Sequence, residues 1–122
     1  MGIRKADRLK TRADFLRAQK GVRRSAIGLN LEMCATPEAY RQASGFRVGF
    51  TASRKVGGAV ERNRAKRRLR AVASAVLPAE ARQGCDYVLI AKTATLTRPF
   101  PDLMKDLAQS LAAAHVKFAS GA

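Results

Sequence analysis

Two stretches of the chain alternate apolar and polar residues with a period of two, which predicts two half-buried β-strands. The first covers residues 27–34 and the second covers residues 46–53. Because only one side of each strand is apolar, we expect the two strands to pair as a hairpin with a buried and a polar side. Their apolar faces consist of Ile27, Leu29, Leu31 and Met33 in the first strand and Phe46, Val48, Phe50 and Ala52 in the second.

Two segments in the first two thirds of the chain predict helices. The first is expected over residues 8–20, where Thr11 and Asp14 are spaced like the residues of a capping box. The second is expected over residues 59–77, and we expect it to end at Pro78 because proline removes a helix hydrogen bond.

The last third predicts a strand followed by a helix. Residues 85–91 are apolar at nearly every position, which is typical of a strand covered on both faces. A helix over residues 100–115 places its apolar residues on one stripe. The stripe consists of Phe100, Leu103, Met104, Leu107 and Leu111.

The predicted elements define one α+β domain that spans residues 1–122. Their order is α-β-β-α-β-α, with three helices packed on a small sheet of three to four strands. Residues 21–25 are expected to form a turn, and residues 1–7 and 117–122 are expected to be loose. A chain of 122 residues suits a single domain with one modest core.

Charge narrows the choice of partner. The chain has 24 Lys and Arg residues against nine Asp and Glu residues, a net charge of +15. Self-repulsion of this size destabilises a compact state unless an anionic partner offsets it. Nucleic acid is the leading candidate partner, and an anionic membrane surface is the second.

Membrane insertion, secretion and zinc binding have no support in the sequence. No window reaches the roughly 18 apolar residues that a bilayer span needs, and the N-terminus lacks the apolar segment of a secretory signal. We therefore expect a cytoplasmic protein. Cys34 and Cys85 lack a CxxC spacing and His115 is the single histidine, so a zinc site is excluded. Both cysteines are expected to be buried thiols, since a disulfide is uncommon in the cytosol.

The second helix begins with a dense run of cations. Positive charges in the first turns of a helix oppose its dipole, and like charges three or four residues apart repel each other. An external anion explains this placement. The helical wheel places Ala65, Leu69, Val72 and Val76 on the core face. The cations are Arg64, Arg67, Arg68 and Arg70, which are predicted to face away from the protein, and Arg62 and Lys66, which are predicted to lean over the sheet.

The polar side of the second strand extends this basic surface. Arg47, Thr51 and Ser53 are predicted on an open sheet face, and Arg54 and Lys55 continue beyond its end. Such a face suits single-stranded nucleic acid. Phe15 fits two roles equally well at this point, a stacking platform at the edge of the groove or an ordinary core residue.

A catalytic site carried by the protein itself is not expected. Metal-dependent nucleases hold their ions with clustered carboxylates, whereas the nine acidic residues here are scattered along the chain. One histidine cannot supply an acid–base pair, and His115 is expected to be a cation near a helix end. No P-loop pattern follows Gly57 and Gly58.

Residues 47–70, RVGFTASRKVGGAVERNRAKRRLR, resemble the signature of the bacterial ribonuclease P protein family. That signature combines an Arg-x-Gly strand, a Ser–basic–Lys–Val–Gly turn and an Arg-Asn-x-x-Lys-Arg-x-x-Arg helix. LKTRADF at residues 9–15 and DYVLIA at residues 86–91 add supporting matches, so the resemblance covers most of the chain. The signature is met by Arg47, Gly49, Ser53, Arg54, Lys55, Val56, Gly57, Arg62, Asn63, Lys66, Arg67 and Arg70.

The resemblance implies a non-catalytic protein subunit of an endoribonuclease whose active site is an RNA with bound Mg²⁺. The protein itself would bind no cofactor, and one copy would join one RNA. A cleft between the first helix and the sheet, lined by Phe15, Arg47 and Ser53, would bind the 5′ leader of precursor tRNA. The basic helix would dock on the catalytic RNA. The family also implies a left-handed β-α-β crossover, against the general right-handed rule. The helix motif consists of Arg62, Asn63, Arg64, Lys66, Arg67 and Arg70.

Two other functions remain open from the residues alone. A structural RNA-binding protein of the ribosomal type fits the charge and the helix equally well, and a stand-alone nuclease is the third alternative. The chain also lacks aromatic residues that the family often carries late in the first helix, where Ala18 and Gln19 stand, and in the first strand. Leader binding here is therefore expected to depend more on charge than on stacking.

Overall fold

The computed structural model describes residues 3, 7–41 and 45–121 of the chain. Within these residues, the six predicted elements occur in the predicted order α-β-β-α-β-α, and one further short strand, β1, lies between the first helix and the first predicted strand. The elements are α1 (Arg12–Gln19), β1 (Val22–Ser25), β2 (Leu29–Ala35), β3 (Arg47–Ala52), α2 (Ala59–Glu80), β4 (Cys85–Ala91) and α3 (Phe100–Gly121).

The four strands form one mixed sheet in the order β1-β2-β4-β3. β1 and β4 both pair with β2 in antiparallel fashion, whereas β3 pairs with β4 in parallel. The predicted hairpin of β2 with β3 is wrong, because β4 lies between them. The apolar side chains on both faces of β4 give it a central position, since a central strand is covered on both sides. α2 joins the parallel strands β3 and β4, and the left-handed sense of this crossover stays a prediction.

The segment at residues 21–25, predicted as a turn, contains strand β1 instead. Val22 lies opposite Met33, and Ser25 lies opposite Asn30. The strand alternates half-buried and exposed residues, so it forms a polar edge of the sheet. Two neighbouring arginines mask its period, which is why the sequence pattern missed it.

One face of the sheet packs against α2 and α3 and forms the main core. The predicted apolar positions of β2 are buried from Leu29 onward, whereas Ile27 precedes the strand and is 64% exposed. Burial of about a dozen large apolar side chains supplies the main driving force for folding. They are Leu29, Leu31, Met33, Val48, Leu69, Val72, Leu77, Tyr87, Leu89, Leu103, Leu107 and Leu111.

The first helix starts later than predicted. Thr11 caps α1 by accepting a hydrogen bond at Oγ1 from the backbone N–H of Asp14, at 3.2 Å. The residues before the cap are extended: Leu9 donates its N–H to the carbonyl of Val48 at 2.9 Å. This segment therefore lies along the edge of β3 instead of adding a turn to α1.

The other two helices end later than predicted. α2 continues through Pro78 to Glu80. Pro78 stands two residues before the helix end, and the N–H of Ala81 still bonds the carbonyl of Leu77 at 2.8 Å. α3 reaches Gly121, so residues 117–121 are helical where a loose tail was predicted. The predicted loose residues 1, 2, 4–6 and 122 lie outside the described residues.

The two cysteines are buried and free, as predicted. Cys34 and Cys85 project from opposite faces of the sheet, because Cys34 lies opposite Asp86 and Ala35 opposite Cys85. Burial raises the pKa of the Cys34 thiol to about 11. Neither thiol is therefore a nucleophile near neutral pH.

His115 is a buried core residue, so the prediction that it is a helix-end cation is wrong. Since α3 extends to Gly121, His115 lies inside the helix and its Nε2 is 2.8 Å from the Tyr87 hydroxyl. Burial lowers the pKa of His115, and the nearby Arg82 lowers it further. The imidazole therefore acts as a neutral hydrogen-bond partner of Tyr87.

None of the described helices has the length and hydropathy needed to cross a lipid bilayer.

Candidate nucleic-acid interface

The second face of the sheet is covered at one end by α1 and is open at the other, which leaves a cleft. Gly49 of β3 lies beneath the Phe15 ring, and a Cβ at this position would stand 2.7 Å from two ring carbons. Only glycine therefore lets the ring approach the strand this closely. Phe15 is half-buried against a small cluster that includes Leu9 and Val88. It is thus both a packing residue and part of the cleft wall.

Arg47 lies at the closed end of this cleft, but its guanidinium is engaged within the protein. Nε and Nη2 donate to the two carboxylate oxygens of Asp86 at 2.9 and 2.7 Å. Nη2 also donates to Asp14 of α1 at 3.2 Å. The side chain is 13% exposed and that of Asp86 is fully buried. The hydrogen bonds from Arg47 to Asp86 raise the pKa of Arg47 further above its ordinary value.

This network fastens α1 to the sheet. Arg17 donates to Asp14 at 3.0 Å, and the Thr36 hydroxyl donates to Asp86 at 2.7 Å. Arg47 was predicted to line the cleft as an RNA-binding residue, and its contact with RNA stays a prediction. Its guanidinium, which is engaged by Asp86 and Asp14, sets the position of α1 and with it the position of Phe15.

The open end of the cleft contains polar groups that the sequence analysis missed. The Ser25 hydroxyl donates to Oδ1 of Asn30 at 2.8 Å, and Lys92 donates from Nζ to the carbonyl of Ala26 at 2.7 Å. Glu32 lies beneath them and pairs with Arg23 at 3.3 Å. Burial raises the pKa of the Glu32 carboxyl group. The alternation of β2 could have placed Asn30 on the polar side of that strand, whereas Lys92 joins the cleft only because β4 is the central strand.

The turn between β3 and α2 carries the next predicted residues. Oγ of Ser53 accepts a hydrogen bond from the N–H of Lys55 at 3.3 Å and caps a short helical turn over Arg54–Val56. Val56 is buried and anchors this turn. Arg54 and Lys55 are exposed beside the cleft. Ser53 therefore shapes the turn, and the two cations extend into solvent.

The core face of α2 is as predicted, with Ala65, Leu69, Val72 and Val76 buried. Asn63, Arg64 and Arg67 are exposed on the opposite side, whereas Arg62, Lys66 and Arg70 are half-buried at its flank. Glu61 accepts the N–H of Gly58 at 2.9 Å and so helps to cap the helix. Among the described residues, no carboxylate forms an ion pair with the five cations of this surface, which are Arg62, Arg64, Lys66, Arg67 and Arg70.

Arg68 departs from the predicted outward direction. It donates from Nη1 to the carbonyls of Thr95 and Leu96 at 3.0 and 2.9 Å, and from Nη2 to the carbonyl of Arg98 at 2.5 Å. The guanidinium therefore fastens the loop before α3 to α2. Arg68 is a structural cation and is excluded from the exposed basic surface.

The carboxylates that the structure describes do not form a metal-binding cluster. No group of three or more His, Cys, Asp or Glu side chains is placed to hold an ion within residues 3, 7–41 and 45–121. Asp14 and Asp86 both pair with Arg47. The arrangement presents cations and hydrogen-bond donors to a ligand, which is the chemistry of polyanion binding.

Comparison with known proteins gives one consistent result. The family model for Ribonuclease P matches residues 3–115. The chain is 49% identical over 106 residues to the ribonuclease P protein component of Paramagnetospirillum magneticum. The aligned region covers 86% of this chain and 80% of the relative. It is 40% identical over 114 residues to that of Gluconacetobacter diazotrophicus, with 93% and 95% coverage.

Solved structures give the same result for the fold. The RNase P protein of Staphylococcus aureus superposes with a TM-score of 0.71 at 27% identity, covering 92% of this chain and 98% of that one. The RNase P protein of Thermotoga maritima superposes with a TM-score of 0.70 at 22% identity, covering 87% and 96%. The second likeness concerns the fold alone.

Proposed function

We propose that this chain, which belongs to the ribonuclease P protein family, binds RNA at two separate sites within the ribonuclease P complex. The exposed basic surface of α2 docks on the catalytic RNA. The cleft between α1 and the sheet binds the single-stranded 5′ leader of precursor tRNA. In this proposal the RNA cleaves the leader and the protein positions it.

The distribution of ion pairs is the observation that carries this proposal. Arg47 and Arg98, which hold parts of the fold together, have carboxylate partners at 2.7 and 2.6 Å, and Arg68 donates to backbone carbonyls. The α2 cations have no carboxylate partner among the described residues, although their mutual repulsion destabilises the helix. Unpaired charge concentrated on one face supports a polyanionic ligand at that face.

The shape of the cleft supports a single strand at the second site. Phe15 offers a partly exposed ring at its closed end, and Asn30 and Lys92 offer polar groups at its open end. A flexible strand can place a base on the ring while its phosphates face Arg54 and Lys55. A rigid duplex has no free base for the ring, which favours the leader as the ligand.

The metal in this proposal belongs to the RNA. Mg²⁺ bound by the catalytic RNA supplies the hydrolytic chemistry, while the protein neutralises phosphate charge and so lowers the ion concentration that assembly needs. We further propose that one copy of the protein joins one RNA and that the complex works in the cytoplasm.

Processing of precursor tRNA at limiting Mg²⁺ tests the proposal. A ribonuclease P RNA transcript is incubated with precursor tRNA, with and without the protein, and release of the leader is measured. Rescue of cleavage by the protein supports the proposal. Lack of rescue, in the presence of tight RNA binding, favours a structural role of the ribosomal type, and cleavage by the protein alone points to a stand-alone nuclease.

Two variants are expected to separate the two RNA sites. Arg67→Ala combined with Arg70→Ala should weaken binding to the catalytic RNA and leave the affinity for the leader nearly unchanged. Both side chains lie on α2, and in the proposal they contact phosphates of the catalytic RNA alone. Phe15→Leu should do the reverse and weaken leader binding by a factor on the order of 5–150, the value of one stacked base. Binding of the RNA transcript and of precursor tRNA with and without its leader measures the two effects.

The controls address stability, because Phe15 also packs against Gly49 and Leu9. Urea unfolding of each variant shows whether the fold is retained at the assay temperature. Equal losses in both binding assays, from variants that remain folded, contradict the separation into two sites.

A further inference from the structure

Phe100 is the member of the α3 stripe that does not enter the core. Leu103 and Leu107 are fully buried, whereas Phe100 at the start of the helix is 36% exposed. Its ring lies beside a groove of about 420 Å³ between α2 and the loop before α3. The groove is lined by Arg64, Arg67, Arg68, Ala71, Leu96 and Phe100.

Hydrogen bonds on two sides fix the shape of the groove. On one side, Arg68 donates three hydrogen bonds to the carbonyls of the loop that precedes Phe100. On the other side, Nε of Arg98 donates to Oδ2 of Asp106 in α3 at 2.6 Å, and Oδ2 of Asp106 also accepts the N–H of Gly28 at 3.0 Å. The backbone that carries the ring therefore has a fixed position relative to α2, so little backbone freedom is lost when a ligand binds.

The charges around the ring specify the class of ligand. Arg64 and Arg67 are exposed at the rim and have no carboxylate partner among the described residues. An aromatic ring flanked by two free guanidinium groups matches a nucleotide, which offers a flat base to the ring and phosphates to the cations. An acidic protein segment would satisfy the charges, but the groove continues directly into the basic surface of α2, where the proposed ligand is RNA.

We propose that Phe100 stacks on an unpaired base of the catalytic RNA while Arg64 and Arg67 bind the adjoining phosphates. This inference rests on the proposed function of α2 as the docking surface. The base belongs to a loop or bulge, because paired bases within a helix have no free face for the ring. Phe100 thus adds a non-electrostatic contact to a surface that otherwise attracts RNA by charge.

The test compares ring-free and ring-retaining variants in binding to a ribonuclease P RNA transcript at several salt concentrations. Phe100→Leu is expected to lower the affinity by a factor on the order of 5–150. Because stacking releases no counterions, the factor should be the same at every salt concentration. Phe100→Tyr and Phe100→Trp should bind like the parent protein. Arg67→Ala, by contrast, should reduce the slope of log affinity against log salt by about one.

Val116→Ala is the matched control, since Val116 is an apolar residue of the same helix that is 70% exposed; it should leave the affinity unchanged. If Phe100→Leu binds like the parent protein while the parent retains a steep salt dependence, the stacking contact is refuted and the docking role of α2 stands. If the parent protein does not bind the RNA, the proposed function fails first. Weaker binding by folded Phe100→Tyr and Phe100→Trp also overturns the proposal, and these variants decide the matter even if Phe100→Leu unfolds.

Discussion

The affinity of this protein for the catalytic RNA is expected to fall by a factor on the order of 10³–10⁵ between about 50 and 200 mM salt, the range for 6–10 phosphate contacts on duplex DNA. Each phosphate that a cation neutralises releases condensed counterions, and added salt opposes that release. Seven side chains of the described residues lack a carboxylate partner and are available for such contacts. Five are on the basic surface of α2, and two are in the turn before it and are free for the catalytic RNA when no leader is bound. The seven side chains are Arg54, Lys55, Arg62, Arg64, Lys66, Arg67 and Arg70.

A titration of binding against monovalent salt, at constant Mg²⁺, measures this dependence. The double variant Arg64→Ala, Arg67→Ala should reduce the slope of log affinity against log salt by about two. Lys117→Ala, which removes a charge from the exposed far end of α3, is the control and should leave the slope unchanged. A flat profile in the parent protein contradicts electrostatic docking, because contacts that release counterions from phosphates must weaken as the salt concentration rises.

Local periodicity predicted the elements whose burial pattern repeats along the chain. The apolar run of β4 and the core stripe of α2 have the predicted burial. In β2 the predicted apolar positions Leu29, Leu31 and Met33 are buried, but Glu32 and Cys34 on the other face are buried as well, so the strand is not half-buried as predicted. Each of these patterns follows from geometry within the element, two residues per repeat in a strand and 3.6 in a helix. The exposed positions of Arg64 and Arg67 follow from the same geometry, so this part of the basic surface could be predicted from the sequence.

Pairing between distant segments could not be predicted in this way. The sequence analysis paired β2 with β3 because they are neighbours in the chain, but β4 separates them in the sheet. Two half-buried strands are compatible with a hairpin and equally with two strands that flank a common neighbour. The choice depends on β4, which lies more than 30 residues further along the chain and supplies the fully apolar centre.

The candidate site shows the same division between local and long-range information. Arg47 and Arg68 look like the other cations in sequence, but their partners lie 39 and 27 residues away. The exposure of Phe100 was likewise hidden, because the apolar stripe of α3 extends beyond the part of the helix that the sheet and α2 cover. Sequence patterns therefore located the basic surface, whereas the structure separated its exposed cations from the arginines that hold the fold together.

Replacing Asp86 with Ala is expected to lower the free energy of unfolding by about 3–5 kcal/mol, the cost of removing one partner from a buried ion pair. Asp86 is fully buried and accepts hydrogen bonds from Arg47 and Thr36. Without it, the mostly buried Arg47 guanidinium loses its bidentate partner and keeps the single contact with Oδ1 of Asp14 and the interaction with Tyr40, whose ring centroid lies 5.1 Å away. Urea unfolding measures the loss.

Glu38→Ala is the control, because Glu38 is an exposed carboxylate; it should change the free energy of unfolding by less than about 0.5 kcal/mol. Arg47→Ala should destabilise the protein as well, and the double variant should lose less than the sum of the two single losses, since the partners act as a unit. Additive losses contradict the network. Because this network holds α1 over the sheet, leader binding by Arg47→Ala should fall together with the stability of α1. In that case Arg47 acts on leader binding by positioning α1 and Phe15.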